Sequence, residues 1–77
     1  MANVTIYTTQ TCPYCQMAKE FMKKNNVAYE EKDVSTDQVA LEAMVEKSGQ
    51  MGVPVIDVNG NVIVGYSEKA LREALNL

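Results

Sequence analysis

The pair Asn59-Gly60 is the feature that most constrains how this chain can fold. It separates two runs rich in β-branched residues, VPVIDV and NVIVG. Asn and Gly both accept positive φ, which a two-residue type I′ hairpin turn requires. The pair therefore predicts two antiparallel strands joined by this turn.

Strand and helix patterns alternate upstream of this hairpin. VTIY is β-branched and aromatic and predicts a strand at about residues 3–8. Pro13 is typical of a first helical position, where its missing N–H costs nothing. VAYEEKDV alternates at period two and predicts a second strand. The first helix should bury one face and end at Asn25-Asn26. The residues predicted on this buried face are Ala18, Phe21, Met22 and Asn25, with Met17 at its edge.

Two further helices carry their own end signals. Ser35 with Gln38 resembles a capping box, and Gly49 should end the helix that follows. Ser67 can cap the last helix. The predicted buried faces are Leu41, Met44, Val45 and Ser48 for the second helix, and Ala70, Leu71, Ala74 and Leu75 for the third. Met51 is also expected to pack in a loop.

These elements predict an α/β chain of order β-α-β-α-β-β-α, forming one domain over residues 1–77. A β-α-β opening implies a parallel pair of strands, and the hairpin adds an antiparallel pair. We expect a four-stranded mixed sheet with three helices on its two faces and the first strand in a central position. Ligands of open α/β sheets bind beyond the carboxyl ends of the strands, which is where the first strand leads into Cys12.

Composition and charge exclude several classes of function. The net charge is −3 and the basic residues are scattered, whereas a nucleic-acid-binding protein needs a clustered basic face. No stretch approaches the ~20 apolar residues of a membrane span. The N-terminal sequence MANVTIYTTQ has no basic and apolar regions of a signal peptide. We therefore expect a monomeric protein of the cytoplasm, where thiols stay mostly reduced.

The segment TCPYC holds both cysteines of the chain, Cys12 and Cys15. If Pro13 begins the helix, Cys12 is its N-cap, and its sulfur faces the unpaired N–H groups of the first turn. These groups and the helix dipole favour a thiolate over a thiol. Cys15, one turn inside, should be less exposed and keep an ordinary pKa. This asymmetry predicts that Cys12 attacks a disulfide and that Cys15 then resolves the mixed disulfide.

Two other interpretations of a C-x-x-C pair are a metal site and simple packing. Zinc normally takes four ligands, and this chain has no histidine and no second cysteine pair. We therefore expect no metal and no tightly bound cofactor. A cysteine pair that follows a strand and opens a helix is instead typical of a redox dithiol.

With CPYC at residues 12–15 and Val53-Pro54 about forty residues later, nearly the whole chain resembles the glutaredoxins, in the thioredoxin superfamily. The resemblance implies a thioredoxin-like fold, a cis bond at Val53-Pro54 and thiol-disulfide oxidoreductase activity with glutathione as co-substrate. It also implies that the Val53 backbone pairs with the substrate backbone. The residues implied to contact substrate or glutathione are Thr9, Pro13, Tyr14, Val53, Pro54, Gly65, Tyr66 and Ser67.

Several positions depart from the usual glutaredoxin pattern. Thr9 stands where the family usually carries Lys or Arg. The family commonly has Gly-Gly followed by a short polar or Cys-Asp element before the last helix, whereas this chain has VGYS at 64–67. Gln50 and Met51 replace a region that often holds a cation. These changes should weaken the capture of glutathione, which is an anionic tripeptide. The element at 65–67 is similar to that of the glutaredoxin-like electron donors of ribonucleotide reductase.

Three functions follow from the resemblance. The first is a dithiol oxidoreductase that reduces protein disulfides and glutathione mixed disulfides and is recycled by glutathione. The second is an electron donor, for example to ribonucleotide reductase, recycled by thioredoxin reductase. The third is a dimer that holds an iron–sulfur cluster through Cys12 and glutathione, which the proline after Cys12 argues against.

Overall fold

The computed structural model describes residues 3–77, which form four strands and three helices in the expected order. Within these residues, no helix has the length and apolar character needed to cross a membrane. The elements are β1 (Val4–Thr8), α1 (Pro13–Lys24), β2 (Glu30–Asp33), α2 (Gln38–Ser48), β3 (Val55–Val58), β4 (Asn61–Val64) and α3 (Glu68–Leu75).

The four strands form one mixed sheet in the order β2-β1-β3-β4. β1 pairs in parallel with β2 and antiparallel with β3, so that Ile6 lies opposite Glu31 on one side and Ile56 on the other. The hairpin pairs β3 with β4. The predicted interior position of the first strand is therefore confirmed, and its carboxyl end leads directly to Cys12.

The sheet separates two apolar cores. α1 and α3 cover one face of the sheet, and α2 covers the other. Alternate side chains of β1 and β3 point to opposite faces, so each strand contributes to both cores. The core under α1 and α3 contains Val4, Ile6, Ala18, Phe21, Met22, Ile56, Val58 and Leu71. The core under α2 contains Tyr7, Val34, Ala40, Met44 and Val55.

The predicted helix ends and the hairpin turn are confirmed. Pro13 is the first residue of α1, and Asn25 caps its C-terminus. Gly49 ends α2 with φ 74°. Asn59 and Gly60 both have positive φ, 52° and 92°, as a type I′ turn requires.

Two predicted element starts were wrong. α2 is capped by Asp37, whose carboxylate accepts from the Ala40 N–H at 3.1 Å. Ser35 is not the cap, because α2 begins at Gln38 and Ser35 lies in the turn after β2, where its N–H and hydroxyl both donate to Asp33. β2 begins at Glu30, since its pairing with β1 begins at Thr5 opposite Glu30.

Two predicted packing residues are exposed. Met17 is 44% exposed and Met51 is 69% exposed, whereas Met22 and Met44 are fully buried. Met17 lies at the edge of the buried face of α1, so the sheet covers Met22 and leaves Met17 in solvent.

Candidate active site

Cys12 lies between the end of β1 and the start of α1. Its backbone is extended, with φ −98° and ψ 108°, and it is the N-cap of α1. The rigid Pro13 at the next position fixes φ for the first helical residue. Sheet pairing and the proline together therefore place the Cys12 sulfur at the N-terminus of a helix, as predicted.

The sulfur of Cys12 is held by two backbone groups. The Cys15 N–H donates to it at 3.2 Å, and its own thiol lies 3.8 Å from the Val53 carbonyl oxygen. The first turn of α1 carries no acidic residue. Both the donated hydrogen bond and the helix dipole favour negative charge on this sulfur. The Cys12 residue is 8% exposed, so only a small part of it is open to a substrate.

Cys15 is completely buried beneath Cys12. Burial raises the pKa of its thiol to about 12, and the hydrogen bond and charge of Cys12 act in the same direction. The Thr9 backbone and the charge of Lys19 oppose this rise. The expectation of an ordinary pKa for Cys15 was therefore wrong, because the sequence does not reveal that the thiol loses all contact with water.

The loop before β3 forms the opposite side of the site. The Val53-Pro54 peptide bond is cis, as the resemblance implies. Pro54 is fully buried, and its carbonyl oxygen accepts from the Gly65 N–H at 2.8 Å. The structure thus joins Val53, Pro54 and Gly65 at one side of Cys12, although they are far apart in sequence.

The remaining predicted contact residues differ in their surroundings. Tyr14 is 60% exposed and Pro13 is also exposed, whereas Thr9 is half-buried. Tyr66 packs partly against the core under α1 and α3. The hydroxyl of Ser67 accepts from the Ala70 N–H at 3.3 Å, so it caps α3.

Gln50 organises the loop before Val53, and sequence reasoning did not identify this role. Its side-chain amide donates to the Gly52 carbonyl at 3.1 Å and to the Ser48 hydroxyl at 3.3 Å, while its carbonyl oxygen accepts from the Gly52 N–H. Gln50 therefore fixes the loop through local hydrogen bonds. Nothing in the pattern of the sequence indicates this conformation.

A second unanticipated group lies on the Cys15 side of α1. The Lys19 ammonium contacts a carboxylate oxygen of Glu31 at 3.0 Å, and the Thr8 hydroxyl donates to the same oxygen at 2.8 Å. The hydrogen bond with Lys19 and then that with Thr8 lower the pKa of Glu31, and the bond with Glu31 raises the pKa of Lys19. The only signal in the sequence is that Lys19 follows Cys15 by four residues, one helical turn.

The arrangement can carry out thiol–disulfide exchange. Both cysteines are free thiols, one at the surface of the site and one directly behind it. Within residues 3–77, no group of three or more His, Cys, Asp or Glu side chains is placed to hold a metal ion.

Comparison with known proteins gives a consistent assignment. The family model described as Glutaredoxin matches residues 4–63. An uncharacterized glutaredoxin-like 8.6 kDa protein in the rubredoxin operon of Clostridium pasteurianum is 42% identical over 72 residues, with 94% of this chain and 96% of the relative covered. Glutaredoxin 3 of Escherichia coli K12 is 38% identical over 68 residues, with coverages of 88% and 82%.

A solved structure confirms the expected thioredoxin-like fold. The crystal structure of a mutant of the thioredoxin-like protein BC3987 matches this chain with a TM-score of 0.91 and 36% identity. The match covers 99% of this chain and 97% of the other.

Proposed function

Since this chain belongs to the glutaredoxin family and is a thiol–disulfide oxidoreductase of that type, we propose that Cys12 is its nucleophile and Cys15 its resolving thiol. The proposed reaction reduces protein disulfides and glutathione mixed disulfides. The observation that carries this assignment is the contrast between the two sulfurs. Cys12 accepts a backbone hydrogen bond at a helix N-terminus, whereas Cys15 is fully buried.

In the first step, the Cys12 thiolate attacks one sulfur of a substrate disulfide. A mixed disulfide forms, and the other substrate sulfur leaves as a thiolate. The N–H donated by Cys15 supports the attacking anion, because hydrogen bonds to a charged group favour its charged form. The high pKa of Cys15 keeps that thiol protonated at neutral pH, so it does not compete as the attacking group.

In the second step, Cys15 attacks Cys12 within the mixed disulfide. The reduced substrate leaves and an intramolecular disulfide remains in the protein. The i, i+3 spacing favours this step, because such residues are neighbours on a helix surface. Two electrons from an external reductant then restore the dithiol.

The proposed substrate contacts lie on both sides of Cys12. The Val53 carbonyl lies 3.8 Å from the sulfur and is close enough to pair with an extended substrate backbone, a form of recognition that is independent of side chains. Pro54 and Gly65 hold this loop in place through their backbone hydrogen bond. The other proposed contacts are Thr9, Pro13, Tyr14, Tyr66 and Ser67.

Glutathione is the proposed reductant, as is usual for the family. A specific observation favours thioredoxin reductase as a second candidate: Thr9 offers no charge to a glutathione carboxylate, and the Ser67 hydroxyl is already used to cap α3. The relative encoded in a rubredoxin operon also supports a role in electron transfer to another protein. We further propose a cytoplasmic monomer that acts in thiol homeostasis, without nucleic-acid or membrane partners.

A coupled assay of NADPH consumption tests the reductant. One series contains glutathione and glutathione reductase, and the other contains thioredoxin reductase alone. Activity only in the second series would contradict the glutathione proposal and support the alternative.

Two single substitutions test the roles of the cysteines. Cys12→Ser should abolish all disulfide reduction. Cys15→Ser should accumulate a mixed disulfide detectable by mass spectrometry and retain only the reduction of glutathione mixed disulfides. Equal residual activity of the two variants would contradict the proposed division of roles.

A further inference from the structure

The ammonium of Lys19 is fixed in a partly buried position one turn after Cys15. Its side chain is 16% exposed, and its ion pair with Glu31 is 3.0 Å long. The Thr8 hydroxyl, on a residue that is 1% exposed, donates to the same carboxylate oxygen at 2.8 Å. These contacts hold the charge on the Cys15 side of α1, whereas an unpaired surface lysine would move freely.

The resolving step develops negative charge on the Cys15 sulfur, which a nearby positive charge would stabilise. Cys15 must lose its proton to attack, although burial raises the pKa of its thiol to about 12. In the mixed disulfide, the sulfur of Cys12 is bonded to the substrate and carries no negative charge. The repulsion between the two cysteine sulfurs is then absent, and the attraction from Lys19 remains.

We propose that Lys19 is a positioning residue for the resolving step, in which its ammonium, anchored by Glu31, stabilises the negative charge that develops on the Cys15 sulfur. This inference rests on the proposed role of Cys15. In the step, the bond between Cys15 and Cys12 forms while the bond between Cys12 and the substrate sulfur breaks. The electron pair of the broken bond leaves with the substrate sulfur, which takes up the proton lost by Cys15.

The groups around Cys15 come from three elements. Cys12 and Lys19 belong to α1 and its cap, and the Thr9 backbone follows β1. Glu31 lies on β2 behind Lys19, with Asp33 further along the same strand. Tyr29 also faces Lys19. The Glu31 carboxylate partly offsets the lysine charge, so replacing it without losing the hydrogen bond should not slow the resolving step.

The test is a single-turnover reaction of the reduced protein with an equimolar amount of dithiodipyridine, a neutral disulfide that releases the absorbing product thiopyridone. Attack by Cys12 releases the first thiopyridone, and attack by Cys15 on the mixed disulfide releases the second. Stopped-flow absorbance at several pH values therefore gives a separate pH profile for each thiol.

Lys19→Gln, which can still donate a hydrogen bond to Glu31, should slow the second phase about threefold to tenfold at neutral pH and move its profile to higher pH. The first phase should change little. Lys19→Arg should restore the profile of the second phase. Lys23→Gln is the matched control, because it removes one exposed lysine from the same helix and should leave both phases unchanged.

Glu31→Gln keeps the test valid if Lys19→Gln does not fold. It retains hydrogen-bond partners for Lys19 and Thr8, and its second phase should be at least as fast as that of the wild type. A second phase slowed by Glu31→Gln, or a profile unaffected by Lys19→Gln, would overturn the role of Lys19. A wild-type protein that never releases the second thiopyridone would instead contradict Cys15 as the resolving thiol.

Discussion

The reduced protein should lose stability in alkaline solution because of Cys15. The pKa of its thiol is about 12 in the folded protein, against 9.0 for an unperturbed cysteine. Between these two values the unfolded chain releases the Cys15 proton while the folded chain retains it. The free energy of unfolding therefore falls as pH rises through this window, by up to about 1.4 kcal/mol per pH unit.

The size of this effect follows from the two pKa values. Between pH 8 and pH 11, the Cys15 contribution should lower the free energy of unfolding by about 2–3 kcal/mol. A domain of 77 residues is typically stable by about 4–12 kcal/mol, so this loss is a large fraction of the total. Tyrosine and lysine side chains also titrate at high pH, so a matched variant has to isolate the cysteine.

The assay is urea unfolding of the reduced protein, with a phosphine reductant present, at several pH values from 8 to 11. Cys15→Ala is the matched variant, because it lacks the titrating group and retains the other ionisable side chains. Over this range the wild type should lose about 2–3 kcal/mol of unfolding free energy relative to the variant. A difference that stays constant would refute the conclusion that burial holds Cys15 in the thiol form.

Three further predictions concern other parts of the chain. Ser67→Ala removes the cap of α3 and should cost about 1 kcal/mol in thermal unfolding; an unchanged Tm would show that the cap hydrogen bond contributes nothing. Met44→Ala should cost about 2–5 kcal/mol, because Met44 is fully buried, whereas Met51→Ala, at a site 69% exposed, should change stability by less than about 0.5 kcal/mol. Equal losses would contradict the assigned burial. Thr9→Lys should raise turnover with glutathione by up to about fivefold, the value of one exposed charge contact, and unaltered steady-state kinetics would count against the missing-cation argument.

The sequence was most informative where a local rule applies to a few adjacent residues. Asn59-Gly60 predicted the hairpin because few residue pairs accept positive φ at two successive positions. Pro13 and Gly49 predicted a helix start and a helix end for similarly local reasons. The placement of Cys12 at a helix N-terminus followed from Pro13 alone.

The sequence was least informative where two candidates compete for one position. Ser35 and Asp37 are both good N-caps, and the structure uses Ser35 in the turn with Asp33 and begins α2 after Asp37. The alternating pattern at 27–34 did not reveal where β2 begins, because pairing with β1 starts only at Glu30, opposite Thr5.

The sequence by itself determined the order of the elements and the identity of the sulfur at the helix N-terminus, since each depends on neighbours a few residues apart. The central position of the first strand followed instead from the connection rules of β-α-β units. Only the tertiary structure decided that Cys15 is cut off from water and that Lys19 is anchored across to Glu31 on β2. Burial and charge pairing depend on which distant segments pack together. The pKa of a thiol depends on that packing, and a pattern of residues along the chain does not contain it.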